Sequence, residues 1–243
     1  MPAQFAPGDR KILEWLDRVA VATPTQLHFL VGERSRYVIG RRLRRLQELG
    51  KIKSTFQPDK RFAEYAWFTG EERGQSNIPH DLVITDLVCA LVKLEREAKI
   101  TELQFTRKHE DLYDRFGSEP DDKINPDLFF SFKVNDLFPC FFVEVENSGN
   151  HHYVAGKSAR IRKMEAFARY PNFEKKFGGD DFFVLTLLPS DEERDNFIAK
   201  LTDYLATRKF WAGSYAAINR LSEKTLKTPK DVAVSLLDCV DAC

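Results

Sequence analysis

Asp127 and Glu144 stand seventeen residues apart in a stretch that otherwise reads as apolar strand, and their carboxylates are the first candidates for chemistry in this chain. Asp127 follows Asn125-Pro126 and opens the run Leu128-Phe129-Phe130-Ser131-Phe132-Lys133; Glu144 closes the run Pro139-Cys140-Phe141-Phe142-Val143 and is followed by Val145-Glu146. Paired as a hairpin across a tight turn at Asn135-Asp136, the two runs set Asp127 directly opposite Glu144. Strand alternation then puts Asp127, Glu144 and Glu146 on one face. Three carboxylates that close repel one another and resist desolvation, so the cluster costs stability unless a cation sits among them. The plainer arrangement has Glu144 and Glu146 on an exposed edge face while Val143 and Val145 pack inward. Phe129 and Phe142 share the acids' face and argue against full exposure.

Such a cluster needs a frame. At 243 residues and 43% hydrophobic, the chain can bury one substantial core or two smaller ones, and twelve Gly and eleven Pro give no sign of disorder. No stretch approaches about eighteen uninterrupted apolar residues, and Met1-Pro2-Ala3-Gln4-Phe5 lacks the blocks of a signal peptide, so the expectation is a soluble, cytoplasmic protein. Cys89, Cys140, Cys239 and Cys243 show no C-x-x-C spacing, which fits reduced thiols better than a disulfide frame or a zinc knuckle. The formal net charge of zero hides a separation of signs. Residues 1–73 carry fourteen Lys/Arg against nine Asp/Glu, and residues 33–61 alone carry ten against three. A basic first part joined to an acidic remainder suggests a polyanionic partner for the former and a cation-dependent site in the latter.

In the basic part, Ile12, Leu13, Leu16 and Val19 recur at helical spacing after Asp9, and Thr23-Pro24-Thr25-Gln26-Leu27 has the cap-and-proline signature of a second helix. Ser35 opens a third, with Val38, Ile39, Leu43, Leu46 and Leu49 as its buried stripe until Gly50 stops it. Its opposite face displays Arg36, Arg41, Arg42, Arg44 and Arg45. Lys51 to Phe56, a turn at Gln57-Pro58-Asp59-Lys60, and Arg61 to Phe68 read as a hairpin. Three helices and a hairpin, the third helix rich in arginine, resemble a winged helix-turn-helix domain. The resemblance implies DNA binding, with Arg36 and Arg41 reading base edges, Arg42 and Arg45 on the same face, and Lys53 and Lys60 on phosphates. A solvated basic face, or a hairpin used for dimerisation, is the plainer reading.

Gly70 to Pro79 is polar and turn-rich, which separates a domain of residues 1–72 from one of residues 73–243. His80-Asp81-Leu82 begins an apolar helical run through Leu87, Leu91 and Leu94 that ends near Lys99. A strand at Ile100 to Thr106, an acidic irregular stretch, the carboxylate hairpin, a basic helix from Tyr153 to Tyr170 and the apolar strand Asp181 to Leu187 follow. Helix, strand, strand, strand, helix, strand outlines an α/β sandwich. Residues 190–206 read as a further helix and 209–217 as a late strand.

That order, with Pro126-Asp127 and Glu144-x-Glu146, resembles the PD-(D/E)XK nuclease superfamily, a restriction-endonuclease-like fold. Over residues 9–190 the chain looks like the replication-relaxation family, which includes MobC-type plasmid relaxases. The matching positions are a winged helix, His80 with Leu82 and Asp86, Pro126 with Asp127, Glu144 with Glu146, and Lys163 four residues before Phe167. The resemblance implies a catalytic set of Asp127, Glu144, Glu146, Lys163, His80 and Asp86, with Mg²⁺ or Mn²⁺ held by Asp127, Glu144 and the Val145 carbonyl. The superfamily's lysine normally follows the second acid by two residues; that position is Glu146 here, so the resemblance points to Lys163 from the next helix. Lys157 is a rival, but six helical residues turn it well away from Lys163.

The implied activity is site-specific nicking at a plasmid transfer origin during mobilisation. The implied partners are DNA, accessory mobilisation proteins and a type IV coupling protein. A second class stays open: a nuclease fold without chemistry, acting as a DNA-binding replication or transcription regulator. His151-His152 does not suit a histidine metal strand, because neighbouring strand residues face opposite ways and Asn147-Ser148-Gly149-Asn150 before them is loop-like. Tyr113, Tyr153 and Tyr170 are candidate nucleophiles or packing residues, and Lys157, Arg160, Arg162 and Lys163 form a basic run for phosphates or solvent.

Overall fold

A proline fixes φ near the helical value and wastes no N–H in a first turn, and the first two helices each begin on one: α1 (Pro7–Val19) and α2 (Pro24–Val31). The computed structural model describes residues 5–57, 64–70, 77–146, 153–154, 157–179, 181–201 and 210–241. Its chain is a mixed α/β protein that divides into two units, Met1–Val92 and Lys93–Cys243.

In the first unit β1 (Val21–Ala22) links α1 to α2, and α3 (Arg36–Glu48) precedes β2 (Lys53–Phe56), β3 (Tyr65–Phe68) and α4 (Ile78–Arg96). The expected hairpin is present, and β1 adds a third antiparallel strand in the order β1-β3-β2. Thr23 and Gln26 form a capping box on α2: the Thr23 hydroxyl accepts from the Gln26 N–H at 3.2 Å, and the Gln26 side-chain oxygen accepts from the Thr23 N–H at 2.8 Å. The other end of the same amide donates to the Leu82 carbonyl at 3.0 Å and to Asp86 at 2.7 Å on α4, while the Thr85 hydroxyl donates to the Val21 carbonyl at 2.6 Å. These bonds tie the start of α4 to α2 and β1, and the two units divide inside α4, after Val92.

The buried stripe of α3 is Ile39, Leu43 and Leu46; Leu49, expected within it, is 41% exposed because it is the C-cap residue where the helix unwinds. Arg42 also departs from expectation. Its guanidinium is drawn inward to Asp9, donating at 2.9 Å to a carboxylate on α1 that is fully buried. Gly8 makes room, since a Cβ there would lie 2.7 Å from the Arg42 guanidinium carbon. Arg42 thus joins α3 to α1 and does not project with its neighbours.

The second unit is built on a seven-stranded mixed sheet. Its elements are β4 (Thr101–Thr106), α5 (His109–Leu112), β5 (Asp114–Arg115), β6 (Lys123–Ile124), β7 (Leu128–Lys133) and β8 (Cys140–Val145). There follow β9 (Tyr153–Val154), β10 (Lys157–Ser158), α6 (Ala159–Ala168), α7 (Phe173–Phe177), β11 (Phe183–Leu188), α8 (Asp191–Leu201), β12 (Phe210–Ser214), β13 (Leu226–Lys227) and β14 (Ala233–Val234). The sheet order is β14-β13-β12-β11-β8-β7-β4, with β8, β11 and β12 mutually parallel and the flanking pairs antiparallel. Parallel neighbours need a crossover, and α6 lies on the path from β8 to β11.

The hairpin forms in the expected register. Leu128 faces Val143 and Phe129 faces Phe142, and Val134 and Leu137 exchange two 3.0 Å bonds around Asn135 and Asp136. Both turn residues have positive φ, 48° and 65°, as a two-residue turn matched to strand twist requires. On one face Phe130, Phe141 and Phe183 stack in a row at 4.8 and 5.1 Å, and Trp211 continues it, tilted on Phe183 at 4.9 Å. On the other, Phe142 is ringed by Phe129, Phe167, Phe173, Phe177 and Phe182.

The expected helix from Tyr153 is shorter: Tyr153 and Val154 pair with Ser158 and Lys157 as β9 and β10, and α6 starts only at Ala159. An aromatic and a β-branched residue followed by Gly156 suit a strand end better than a helix start. Residues 202–206 of the expected helix over 190–206 lie outside the described residues; the expected strand over 209–217 is β12, which gives way to a 3₁₀ turn at Tyr215, and the tail after Leu221 holds β13, β14 and a second 3₁₀ turn.

Removing one partner of a buried ion pair strands the other. Arg42→Ala should therefore lower unfolding free energy by about 3 kcal/mol. Combining it with Asp9→Asn should recover part of that loss in urea titrations; an Arg42→Ala protein as stable as the parent would contradict the inward role of this arginine.

Candidate active site

Glu144 lies on β8 between β7 and β11, and its side chain is 1% exposed, so the edge-face arrangement does not occur. Its neighbour along the same face is Phe142, which packs on Phe167 of α6 at 5.4 Å. Four helical residues rise about 6 Å and two strand residues about 6.6 Å. Antiparallel passage of helix over strand therefore carries Lys163, one turn before Phe167, onto Glu144, two residues beyond Phe142. The Lys163 ammonium donates to Glu144 Oε2, and its side chain keeps 37% exposure while Glu144 has almost none.

Asp127 stands across the hairpin, one step beyond the Leu128 to Val143 pairing. Its N–H donates to the Val143 carbonyl at 2.9 Å, and its Oδ2 accepts from the Val145 N–H at 2.8 Å. The carboxylate thereby takes over a backbone donor at the end of the ladder and is held beside Glu144. Glu146 is further out and half-buried; its N–H donates to the Leu187 carbonyl at 2.9 Å, and its carbonyl accepts from the Tyr215 hydroxyl at 2.5 Å.

Burial is the main force on the Glu144 carboxyl and pushes its pKa up, to about 8; Lys163 pulls it down, while Asp127 and Glu146 add to the rise. For Lys163, burial opposes the charge, but the carboxylates of Glu144 and Asp127 outweigh it and hold the ammonium well above the usual lysine range. Glu144 Oε1 is buried with no hydrogen-bond partner. An unclaimed carboxylate oxygen in a desolvated site is what a hard cation takes. Among the described residues no group of three or more His, Cys, Asp or Glu is arranged to hold a metal ion. The donor set is therefore two carboxylates and nearby carbonyl groups. Such a set would hold Mg²⁺ or Mn²⁺ only with water and phosphate oxygens completing the shell, and does not make an all-protein cage.

Of the other expected site residues, His80 and Asp86 sit on α4 in the first unit. Asp86 accepts from Gln26 there at 2.7 Å, and His80 Nδ1 lies 3.8 Å from Asp81. Lys157 falls in β10 and not on the helix. Tyr170 is buried and donates to Asp114 at 2.6 Å, which makes it a packing residue, and Tyr113 stacks on His109. Arg41, Arg44, Arg45 and Lys53 are exposed, and Arg36 pairs with Glu64 at 2.6 Å. Lys60 and His151-His152 lie outside the described residues.

Sequence reasoning missed two residues. Thr186 on β11 pairs in register with Glu144 and is 1% exposed, with its hydroxyl on the Met164 sulfur at 3.7 Å. Tyr215 reaches Glu146. The order of strands in the sheet was the signal needed, and it is not written in either residue's surroundings.

No family of known sequences matches the chain, and no curated protein does. One solved structure, that of TrmBL2, an archaeal chromatin protein showing a novel mode of DNA binding, aligns over 86% of this chain and 76% of its own. It does so at 12% identity and a TM-score of 0.23, a likeness too slight to carry fold or function across.

The raised Glu144 pKa has a signed consequence. Between its ordinary value of 4.5 and about 8 the folded protein holds a proton that the unfolded chain has released, so this group's contribution to stability falls as pH rises through that window. In metal-free buffer the melting temperature of the parent relative to Glu144→Gln should therefore drop from pH 5 to pH 8, and Mn²⁺ should restore it. A difference that stays constant with pH would contradict the burial account.

Proposed function

We propose that this protein is a metal-dependent DNA-nicking enzyme of the relaxase kind, whose second unit is a PD-(D/E)XK-like nuclease and whose first unit is a winged helix that holds DNA. The observation that carries the reading is the buried, half-claimed carboxylate of Glu144, with Asp127 across the hairpin and the Lys163 ammonium upon it. Two carboxylates and a lysine at the end of an antiparallel hairpin, joined by a helix to a parallel strand, supply the groups that phosphodiester cleavage needs.

Asp127 and Glu144 would hold Mg²⁺ or Mn²⁺, which when bound supplies Lewis acidity to a phosphoryl oxygen. The chain's own groups do the remainder. Glu144 and Asp127 fix the approach through a backbone N–H and a buried strand, so their oxygens need no reorganisation when the substrate arrives. Lys163, partly exposed on its outer side, offsets the charge that builds on the phosphate and orients the attacking group. It comes from α6 and so stands in for the lysine that Glu146 displaces from β8. Glu146 is held by Tyr215 and by β11 at the rim, where it can take a second-row position on a water.

The exposed arginines of α3 support the DNA-binding part of the reading, with Arg36, Arg41, Arg45 and Lys53 as its contacts. Arg42, bonded to Asp9, is not among them. A plasmid transfer origin is the proposed target, with accessory mobilisation proteins and a type IV coupling protein as the proposed partners. The direct bond between Glu144 and Lys163 favours one second reading, a regulator in which this pair is a structural ion pair without chemistry.

Conversion of a supercoiled plasmid bearing the cognate origin to open circles separates the two. With Mn²⁺ the parent should nick; Asp127→Ala and Glu144→Ala should each lose at least about a hundredfold in rate, as loss of a metal-holding group does. Lys163→Ala should lose a comparable factor. Nicking undiminished in all three variants would overturn the site, and DNA binding without cleavage in the parent would establish the regulator.

A further inference from the structure

Among the described residues, the first unit exposes three large aromatic side chains beside its basic residues. Tyr37 on α3 is 72% exposed, Phe56 on β2 is 53% exposed and Tyr65 on β3 is 54% exposed. Phe56 and Tyr65 are cross-strand partners whose rings meet edge to face at 5.5 Å. The hairpin meets α3 at two points. Ser54, two residues before Phe56 and on the same face, accepts from the Gln47 amide at 3.1 Å. At the other end of α3, Arg36 donates to Glu64 at 2.6 Å, so the hairpin runs alongside α3 from Arg36 to Gln47.

Helical spacing sets Tyr37, Arg41 and Arg44 in one line along α3, and both arginines are exposed. Gly40 lies beside that line, and a Cβ built on it would have nothing within 4 Å, so the helix backbone is open there. Lys53 is exposed on the hairpin.

Phosphate contacts explain the cations but not the rings. Duplex base edges offer an aromatic side chain little beyond a thymine methyl, and a protein has no reason to leave three rings in water for that. Unstacked bases offer a whole π-face to each ring, and the guanidinium groups alongside follow the strand's phosphates. An apolar partner protein would find the same rings fenced by positive charge. We infer that the strip between α3 and the β2–β3 hairpin binds single-stranded DNA, with unpaired bases stacked on Phe56, Tyr65 and Tyr37. The inference rests on the reading of the first unit as a DNA-binding unit and deepens it: this face holds a separated strand, the form that DNA around a nick takes when it is unwound.

The test is fluorescence anisotropy of the full chain in EDTA, with labelled oligo(dT) of about twelve nucleotides, a length within the span such surfaces cover, and a labelled hairpin duplex as the second probe. The parent should bind oligo(dT). Phe56→Ala and Tyr65→Ala should each weaken that binding about tenfold, within the range for losing one stacked base, and leave the duplex affinity within about twofold. Both side chains are more than half exposed, so the fold survives either change. Phe56→Trp should bind oligo(dT) like the parent and lose tryptophan emission as the base stacks. Parent binding to duplex without binding to oligo(dT) would overturn the inference alone, whereas binding to neither would overturn the DNA-binding reading as well. Equal losses on both probes, or variants that keep both affinities and change only self-association in sedimentation, would also overturn it.

Discussion

A carboxylate on an inner strand of a sheet is costly, because water that would solvate it is gone and several kcal/mol of desolvation must be offset locally. The second unit is organised around meeting that cost at Glu144. The helix α6 is set by Phe167 on Phe142, and the near match between one helical turn and two strand residues then delivers Lys163 to the acid. Asp127 is brought alongside by the hairpin's register, which the Asn135-Asp136 turn fixes from the far end. A slip of one residue in that register would reverse the faces of the strand. Phe129 and Asp127 would then leave the side that Phe142 and Glu144 occupy.

This compensation is incomplete, and the gap is informative. Lys163 claims only one oxygen of Glu144; the other is buried and without a partner. A pair evolved for stability alone has no reason to leave it so, since an apolar pair of the same volume would serve as well or better. The site is therefore a half-claimed carboxylate and not a closed salt bridge. The first unit divides its charges on a similar principle. Arg42 bonds Asp9 inside, Arg45 is exposed and lies 3.8 Å from the same carboxylate, and Arg41 and Arg44 remain outside, so one arginine-rich helix contributes both to folding and to an exposed basic surface.

Much of this was legible in the sequence. Alternating apolar runs around Asn135-Asp136 determine the hairpin and its register, and strand period alone then puts Asp127 opposite Glu144. Lys163 was reached by family resemblance; the physical reason, the spacing from Phe167, follows only once the helix is known to lie antiparallel over the strand. What could not be read is long-range. Nothing in the pattern of α3 distinguishes Arg42 from Arg41, because the difference is a carboxylate thirty-three residues earlier that happens to be buried. The bond from Gln26 to Asp86, sixty residues later, is of the same long-range kind. Helical periodicity continues through Tyr153 and Val154, whose own preferences favour a strand, and so places the start of α6 too early.

The central claim is that Asp127 and Glu144 are cation ligands, and anomalous scattering from crystals soaked in Mn²⁺ tests it most directly. The account predicts a manganese peak at bonding distance from Glu144 Oε1 and an Asp127 oxygen, with Lys163 released from direct contact with Glu144. Crystals in which no peak appears there at saturating Mn²⁺, and in which Lys163 stays on Glu144, would contradict it.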